Sequence, residues 1–321
     1  MLKLFTAAAL TLVTTIAVAD SFPSRPVTLV VPFSAGGPTD VVARQLAMAM
    51  EKDLGQTIVV ENKPSSGGIV GSESVVRSEP NGYTLLIFNM GMSTLPALAP
   101  DLRFDPKKDF SYIGEVVDVP MTLIGRKDLE PQNFEQLASY LREHKASINL
   151  ANAGVGTASH LCGMLLMKQL DLALTTVPYK GAAPAMMDLQ GGQVDLLCDQ
   201  ITTTQQPILG QRVKPYGATT KKRLAELPDL PTLDEQGLDN FEVTVWHGIY
   251  AAKGTPQPVV DRLVQALQAG LKDQNFRDSM AKLGAMPVEQ ERATPEGLSK
   301  HLAEQIATWT PLIERSKSYL Q

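Results

Sequence analysis

The chain contains only 2 cysteines among 321 residues. Two cysteines can build neither a disulfide framework nor a multi-cysteine zinc site. The four histidines stand apart at 144, 160, 247 and 301, so no H-E-x-x-H helix exists. An excess of positive charge is also missing: 29 basic side chains face 34 acidic ones, a net charge of -5. Such a surface has no broad attraction for phosphate backbones or anionic lipid, which argues against nucleic-acid binding. Long apolar runs are absent too. The longest, Leu4 to Ile16, falls short of the ~20 residues that a membrane span requires. With 44% hydrophobic and 20% charged residues, the composition is that of a soluble globular protein. No fixed-period repeat, low-complexity tract or linker interrupts it. The length fits about two domains of roughly 100–200 residues each.

The short apolar run has a meaning of its own. Lys3 precedes it and Ala17-Val18-Ala19 follows it, the arrangement of a secretory signal peptide with an A-x-A cleavage site. We expect residues 1–19 to be removed by cleavage after Ala19, placing the mature chain in the periplasm, an oxidising compartment.

Beyond residue 20 the sequence alternates strand-like and helical patterns, as an α/β fold with a largely parallel sheet requires. Val27 to Phe33 is a continuous β-branched and apolar run. Asp40 to Leu54 has helical spacing at Val42, Leu46, Met50 and Leu54, closed by Gly55. Strands are expected at 57–60 and 84–88, with a helix at 69–77 between them. After Asp109 a second set begins: helices at 134–143, 160–170 and 182–189, and strands at 148–151, 175–178, 194–198 and 213–218. From about Phe241 the character changes: Val243 to Tyr250 is extended, and helices are expected at 256–272, 276–283 and 295–319. Pro256 and Pro295 follow Thr255 and Thr294, which are expected N-caps. Two α/β sets without a linker imply a middle lobe, 124–245, inserted into an outer one of residues 20–123 and 246–321. The two crossing segments are expected near Leu123–Arg126 and Glu242–His247, with Trp246 in the second.

Ligands in open parallel sheets bind beyond the carboxyl ends of the strands, so the strand-to-helix loops carry the functional reading. The first joins Phe33 to Asp40 through Ser34, Gly36 and Thr39. It opens a helix whose free N–H groups favour an anion, although Thr39 and Asp40 also suit a simple capping role. The second, Asn152 to Ser159, contains Gly154, Gly156 and Thr157. Lys180 tips a third loop, where it is either a ligand cation or merely solvated. Asn89 and Ser93 follow another strand. Asp199 ends an apolar strand, where it could face a ligand or cap the next helix. Competing motifs fail. The Gly36–Asp40 stretch is no P-loop, and Gly154-Val155-Gly156 lacks the third glycine of a dinucleotide fingerprint. A nucleophile set of Ser159, His160 and Asp199 is disfavoured, because adjacent Ser and His cannot easily face each other.

The run Arg25-Pro26-Val27-Thr28-Leu29-Val30-Val31-Pro32-Phe33-Ser34-Ala35-Gly36-Gly37-Pro38-Thr39-Asp40 resembles the start of the tripartite tricarboxylate transporter receptors, the Bug-type solute-binding proteins. Val59 to Pro64, Pro80 to Leu86, Gly154 to Leu161, Val177 to Ala185, Gly191 to Asp195 and Leu230 to Leu233 continue the likeness in order. The resemblance implies a periplasmic-binding-protein type II fold, a Venus flytrap of two α/β lobes. It implies a receptor that captures a small organic carboxylate and delivers it to membrane permease subunits, without catalysis, metal or cofactor. The expected binding set is Phe33, Ser34, Gly36, Thr39, Asp40, Asn89, Ser93, Gly154, Gly156, Thr157, Ser159, Lys180 and Asp199. Cys198-Asp199-Gln200 departs from the Phe-Asp-Asn of many relatives. A monomer is expected. The alternative is a periplasmic sensor module signalling to a membrane kinase; a secreted hydrolase is a remote third. Cys162 and Cys198 are expected to be unpaired core residues.

Overall fold

The computed structural model describes residues 22–316, so the expected leader at 1–19 lies outside the described residues. Strand β1 (Val27–Val31) is buried except at Thr28, as its β-branched composition favours. Helix α1 (Pro38–Leu54) starts on a proline, and it ends on Gly55, whose φ of 71° returns its N–H to the Glu51 carbonyl. Strands β2 (Ile58–Asn62) and β3 (Thr84–Asn89) flank β1 in parallel. Helix α2 (Ile69–Val76) connects them, and α3 (Gly91–Leu98) follows β3. The long strand β4 (Phe110–Arg126) leads to the second set. That set comprises α4 (Phe134–His144), β5 (Asn149–Asn152), α5 (Ala158–Leu170), β6 (Thr175–Pro178), α6 (Ala182–Gln190), β7 (Leu196–Gln200), α7 (Ile201–Leu209) and β8 (Val213–Ala218). The chain returns through β9 (Thr244–Ala252) and finishes with α8 (Gln257–Lys272), α9 (Gln274–Lys282), β10 (Met286–Pro287) and α10 (Pro295–Glu314).

The strands lie in the order β2-β1-β3-β9-β4-β7-β5-β6, with β8 and β10 also paired to β4. Strand β4 changes partners along its length. Its first part runs antiparallel to β9 as far as Pro120 opposite Thr244. From Met121 it pairs instead with β7, and from Thr122 with β8. The change lies upstream of the expected crossing at Leu123–Arg126, which is already paired to β7 or β8 over its whole length. A proline suits the switch, since it cannot donate to a ladder. One apolar core extends through both halves; a smaller cluster around Ile124, Leu189 and Leu197 backs the second. The fold is α/β.

Four elements are not legible in the sequence, among them β10, whose two residues are too few to show any periodicity. Strand β4 contains Gly114, Asp118 and Pro120 and shifts register twice against β9 and once against β8, which erases its alternation. Helices α3 and α7 carry Pro96 and Pro207 in their interiors, and three threonines of low helix propensity follow Ile201 at the start of α7. Thr294 caps α10 through the Gly297 N–H as expected, but Thr255 does not cap α8. Its hydroxyl donates to the Ala252 carbonyl, and α8 starts one residue later than expected. The cysteine expectation is overturned. Helix α5 packs on β7, standing Cys162 over Cys198 with Cα atoms 6.1 Å apart, and the two form a disulfide.

Candidate functional site

Strands β1, β3, β5 and β7 all point their carboxyl ends at one small cavity. Phe33, Thr39, Asn89, Thr157, Ser159 and Asp199 line it, as do Gly37, Pro38, Ala153, Ala158, Ala182 and Gln200, which the sequence reading had not placed in the set. Helices α1, α5 and α6 begin on this wall, so their first-turn N–H groups and positive dipole ends converge there. Gln200 could have been found from its place, since it follows Asp199 at the end of an apolar strand. The small lining residues gave no signal beyond proximity to a helix start.

Some polar groups on the wall are held by protein partners and others are left over. The Thr39 hydroxyl sits 3.2 Å from Asn89 Nδ2 and 3.3 Å from His247 Nε2. Asn89 Oδ1 in turn accepts the Gly91 N–H, which fixes the amide. Thr157 is the N-cap of α5: it accepts the His160 N–H and donates its proton to the Gly154 carbonyl at 2.7 Å. Ser159 Oγ and Gln200 Oε1 are buried without a partner in the protein. Asp199 is only 1% exposed. Its carboxylate accepts from Thr203 Oγ1 at 2.7 Å, and burial pushes its pKa up to about 7 despite that bond and the Gln200 N–H. Burial likewise depresses His160 and His247 to about 4, so both imidazoles are neutral at pH 7. The Gly156 N–H donates to His160 Nδ1, leaving the proton of that neutral ring on Nε2.

The remaining sequence candidates stand behind the wall. Asp40 serves as a structural bracket. It accepts from the Gly36 N–H at 2.9 Å, from Arg44 Nε at 2.9 Å and from Asn62 Nδ2 at 2.9 Å. Burial alone would raise its pKa, but these partners hold it below the ordinary carboxylate range. Ser93 donates to the Met90 carbonyl. The Lys180 side chain is exposed, while its carbonyl accepts the Ser34 N–H across the cleft at 3.3 Å. Gly156 makes the other such bridge, its carbonyl accepting from Thr94 Oγ1 at 2.6 Å. Gly154 is there for space: at φ 118° a Cβ on it would fall 2.7 Å from the Gly67 nitrogen.

With these bridges in place the cavity measures about 20 Å³. That holds about one water molecule and is far below the 300–1,000 Å³ usual for ligand pockets, at order of magnitude. The structure is therefore of a closed cleft, and a solute enters only if the bridging contacts part. A wider outer groove of about 930 Å³ runs beside α10. Arg292 there is already paired with Glu115 and Asp118, and His301 Nδ1 lies 2.8 Å from Glu115.

Known proteins place this geometry. Residues 42–317 match the family described as the tripartite tricarboxylate transporter family receptor. A protein of Agrobacterium vitis, the UPF0065 protein of the ttuE-ttuC' intergenic region, is 44% identical over 297 residues, 92% of this chain and 86% of its own. The periplasmic binding protein BugD superposes with a TM-score of 0.90 at 51% identity, covering 92% of this chain and 99% of its own. MatC from Rhodopseudomonas palustris, solved with bound malate, gives 0.88 at 37% identity over 91% and 100% of the two chains. These neighbours share a periplasmic-binding-protein architecture of type II-like form, and MatC holds a small dicarboxylate. The chain belongs to the tripartite tricarboxylate transporter receptor family of periplasmic solute-binding proteins.

Proposed function

We propose that this protein captures a small organic carboxylate between its two halves and delivers it to the membrane subunits of a tripartite tricarboxylate-type transporter. The observation that carries the reading is the convergence of three helix N-termini, α1, α5 and α6, on one closed cavity. Backbone donors of that kind hold an anion without a charged side chain. Among the cavity-lining residues none is Lys or Arg. Bound malate in MatC supports the same ligand class. The ligand set we propose is Thr39, Asn89, Ser159, Asp199 and Gln200, with backbone N–H groups around Phe33 and Thr157. The lobes of the receptor are 22–120 with 244–316 and 121–243, the limits expected from the sequence, 123/124 and 245/246, moving to where β4 and β9 change partners. The receptor acts as a monomer without catalysis, after cleavage behind Ala19 delivers it to the periplasm.

A thermal-shift screen of di- and tricarboxylates, acidic amino acids and aromatic acids, each against its amide, tests the reading. At about 100 times the dissociation constant, linkage contributes roughly 2.7 kcal/mol. That corresponds to a rise of several degrees at roughly 2–4 °C per kcal/mol. Amides that stabilise as well as their acids overturn the carboxylate reading. Transport assays with a receptor deletion strain test the delivery step, and chromatography of incubated acids should show no product.

A further inference from the structure

We propose that Asp199 takes up a proton when a carboxylate solute is closed into the cleft, and that its carboxyl group then donates a hydrogen bond to the solute. The inference rests on the carboxylate-receptor reading above. Its ground is a geometric conflict. Asp199 lines the cavity, is 1% exposed, and among the described residues its carboxylate has as polar partners the Thr203 hydroxyl and the Gln200 N–H. Among the described residues no basic side chain pairs with it. An anionic solute drawn to the helix N-termini therefore meets a second anion at close range in a space that excludes water. Two carboxylates sharing such a site cannot both stay ionised, and the proton they share raises the pKa of one of them.

The surroundings leave no other group to resolve the conflict. Facing Asp199 around the cavity are Thr39, Asn89, Thr157, Ser159 and Gln200, none of them titratable. Of the ionisable groups on neighbouring elements, Asp40 is bound to Arg44, and Asp188 of α6 accepts from the Tyr179 hydroxyl. His160 of α5 and His247 of β9 are buried neutral bases. Arg126 of β4 is committed to Asp195 and Asp128. The free protein already holds Asp199 at about 7, and closure over an anion raises it further, to above about 9, which keeps it protonated at pH 8. The proton comes from bulk water, and the O–H of the neutral acid then points its donor at the solute carboxylate.

Calorimetric titration of the mature protein and of Asp199→Asn tests this, with L-malate, succinate, citrate and L-aspartate as probes. At pH 8, two buffers of different ionisation enthalpy should reveal close to one proton taken up per solute bound by the wild type. Its affinity should fall by about tenfold per pH unit above roughly pH 7.5. The asparagine amide is a permanent donor of nearly the same shape, so the variant should keep its pH 6 affinity to pH 9 and take up no proton. Melting of the ligand-free variant confirms that it folds. Wild-type binding with flat affinity and no proton uptake overturns the proposal and leaves the carboxylate reading intact. Proton release with aspartate as the sole binder also overturns it, because Asp199 would then stay ionised against the ammonium group. If no acid binds either protein at any pH, the carboxylate reading falls and this inference with it.

Discussion

At the scale of single residues, the site separates groups that hold the protein from groups left over for a ligand. Thr157 spends its hydroxyl on both sides of the α5 cap. Thr157→Val should therefore cost about 1 kcal/mol of stability, the usual worth of an N-cap, measurable by urea unfolding. Ser159 Oγ has no protein partner. Ser159→Ala should leave unfolding of the free protein within about 0.5 kcal/mol and weaken carboxylate binding by about tenfold or more, the loss of a bond to a charged acceptor. The reverse pattern would reassign both residues. Titration gives a further contrast. His160 and His247 bind protons near pH 6.5 when unfolded but near 4 when folded. Between those values the unfolded chain holds more protons, so their contribution is full above pH 6.5 and is lost as pH falls toward 4, by roughly 3 kcal/mol each at most. Asp199 has the opposite sign, because the folded state keeps its proton up to about pH 7 while the unfolded chain releases it near 4. Asp199→Asn removes that opposing contribution. Ligand-free stability of the variant should rise more steeply from pH 4 to 6.5 than that of the wild type, and a parallel rise in both would count against a buried, proton-retaining Asp199.

At the scale of elements, the disulfide ties α5 to β7 directly behind the cavity wall, since Cys162 follows Ser159 by one turn and Cys198 precedes Asp199. Its loop spans a separation of 36 residues, for which chain entropy gives about 4 kcal/mol. Cys162→Ala with Cys198→Ala should lower the melting temperature by several degrees and loosen ligand binding, both read in one thermal titration. Equal melting of wild type and variant would show that the bridge does not constrain the unfolded chain. The pairing also marks a boundary of what sequence patterns reveal. Val27–Val31, α1 and α5 were legible because a β-branched run, a helical stripe and a Gly-to-Thr loop each follow from local chemistry. So were six of the cavity residues, all at strand ends or helix starts. The contact between Cys162 and Cys198 depends on how α5 is laid over β7, which no local pattern encodes. Strand β4 was hidden for a related reason. Its Gly, Asp and Pro residues answer to bulges and a change of partner, and burial along both faces leaves no alternation to read.

At the scale of the whole molecule, closure and topology meet in the same strands. The bridges from Ser34 to Lys180 and from Thr94 to Gly156 have to part before a solute can enter. We expect rotation of the halves about Pro120–Met121 on β4 and Val243–Thr244 before β9 to allow this, because there the backbone passes from one set of partners to the other. Small-angle scattering should show a mixture of open and closed forms contracting to the closed radius with saturating ligand; an invariant radius, with binding proven separately, would exclude lobe movement. The place of β9 also sets an order of assembly. It lies between β3 and β4, although 154 residues of chain separate the end of β3 from its start (Asn89 to Thr244). The first lobe thus has a gap through its middle until nearly four-fifths of the chain exists. A fragment ending at Asn240 should lack a cooperative melting transition, whereas a fragment that melts cooperatively would show that β3 and β4 manage without the strand between them. Long-range pairing of this kind is slow. For a member of a periplasmic family the delay suits export, since a polypeptide that cannot complete its sheet while still being synthesised stays loose enough to be threaded across a membrane.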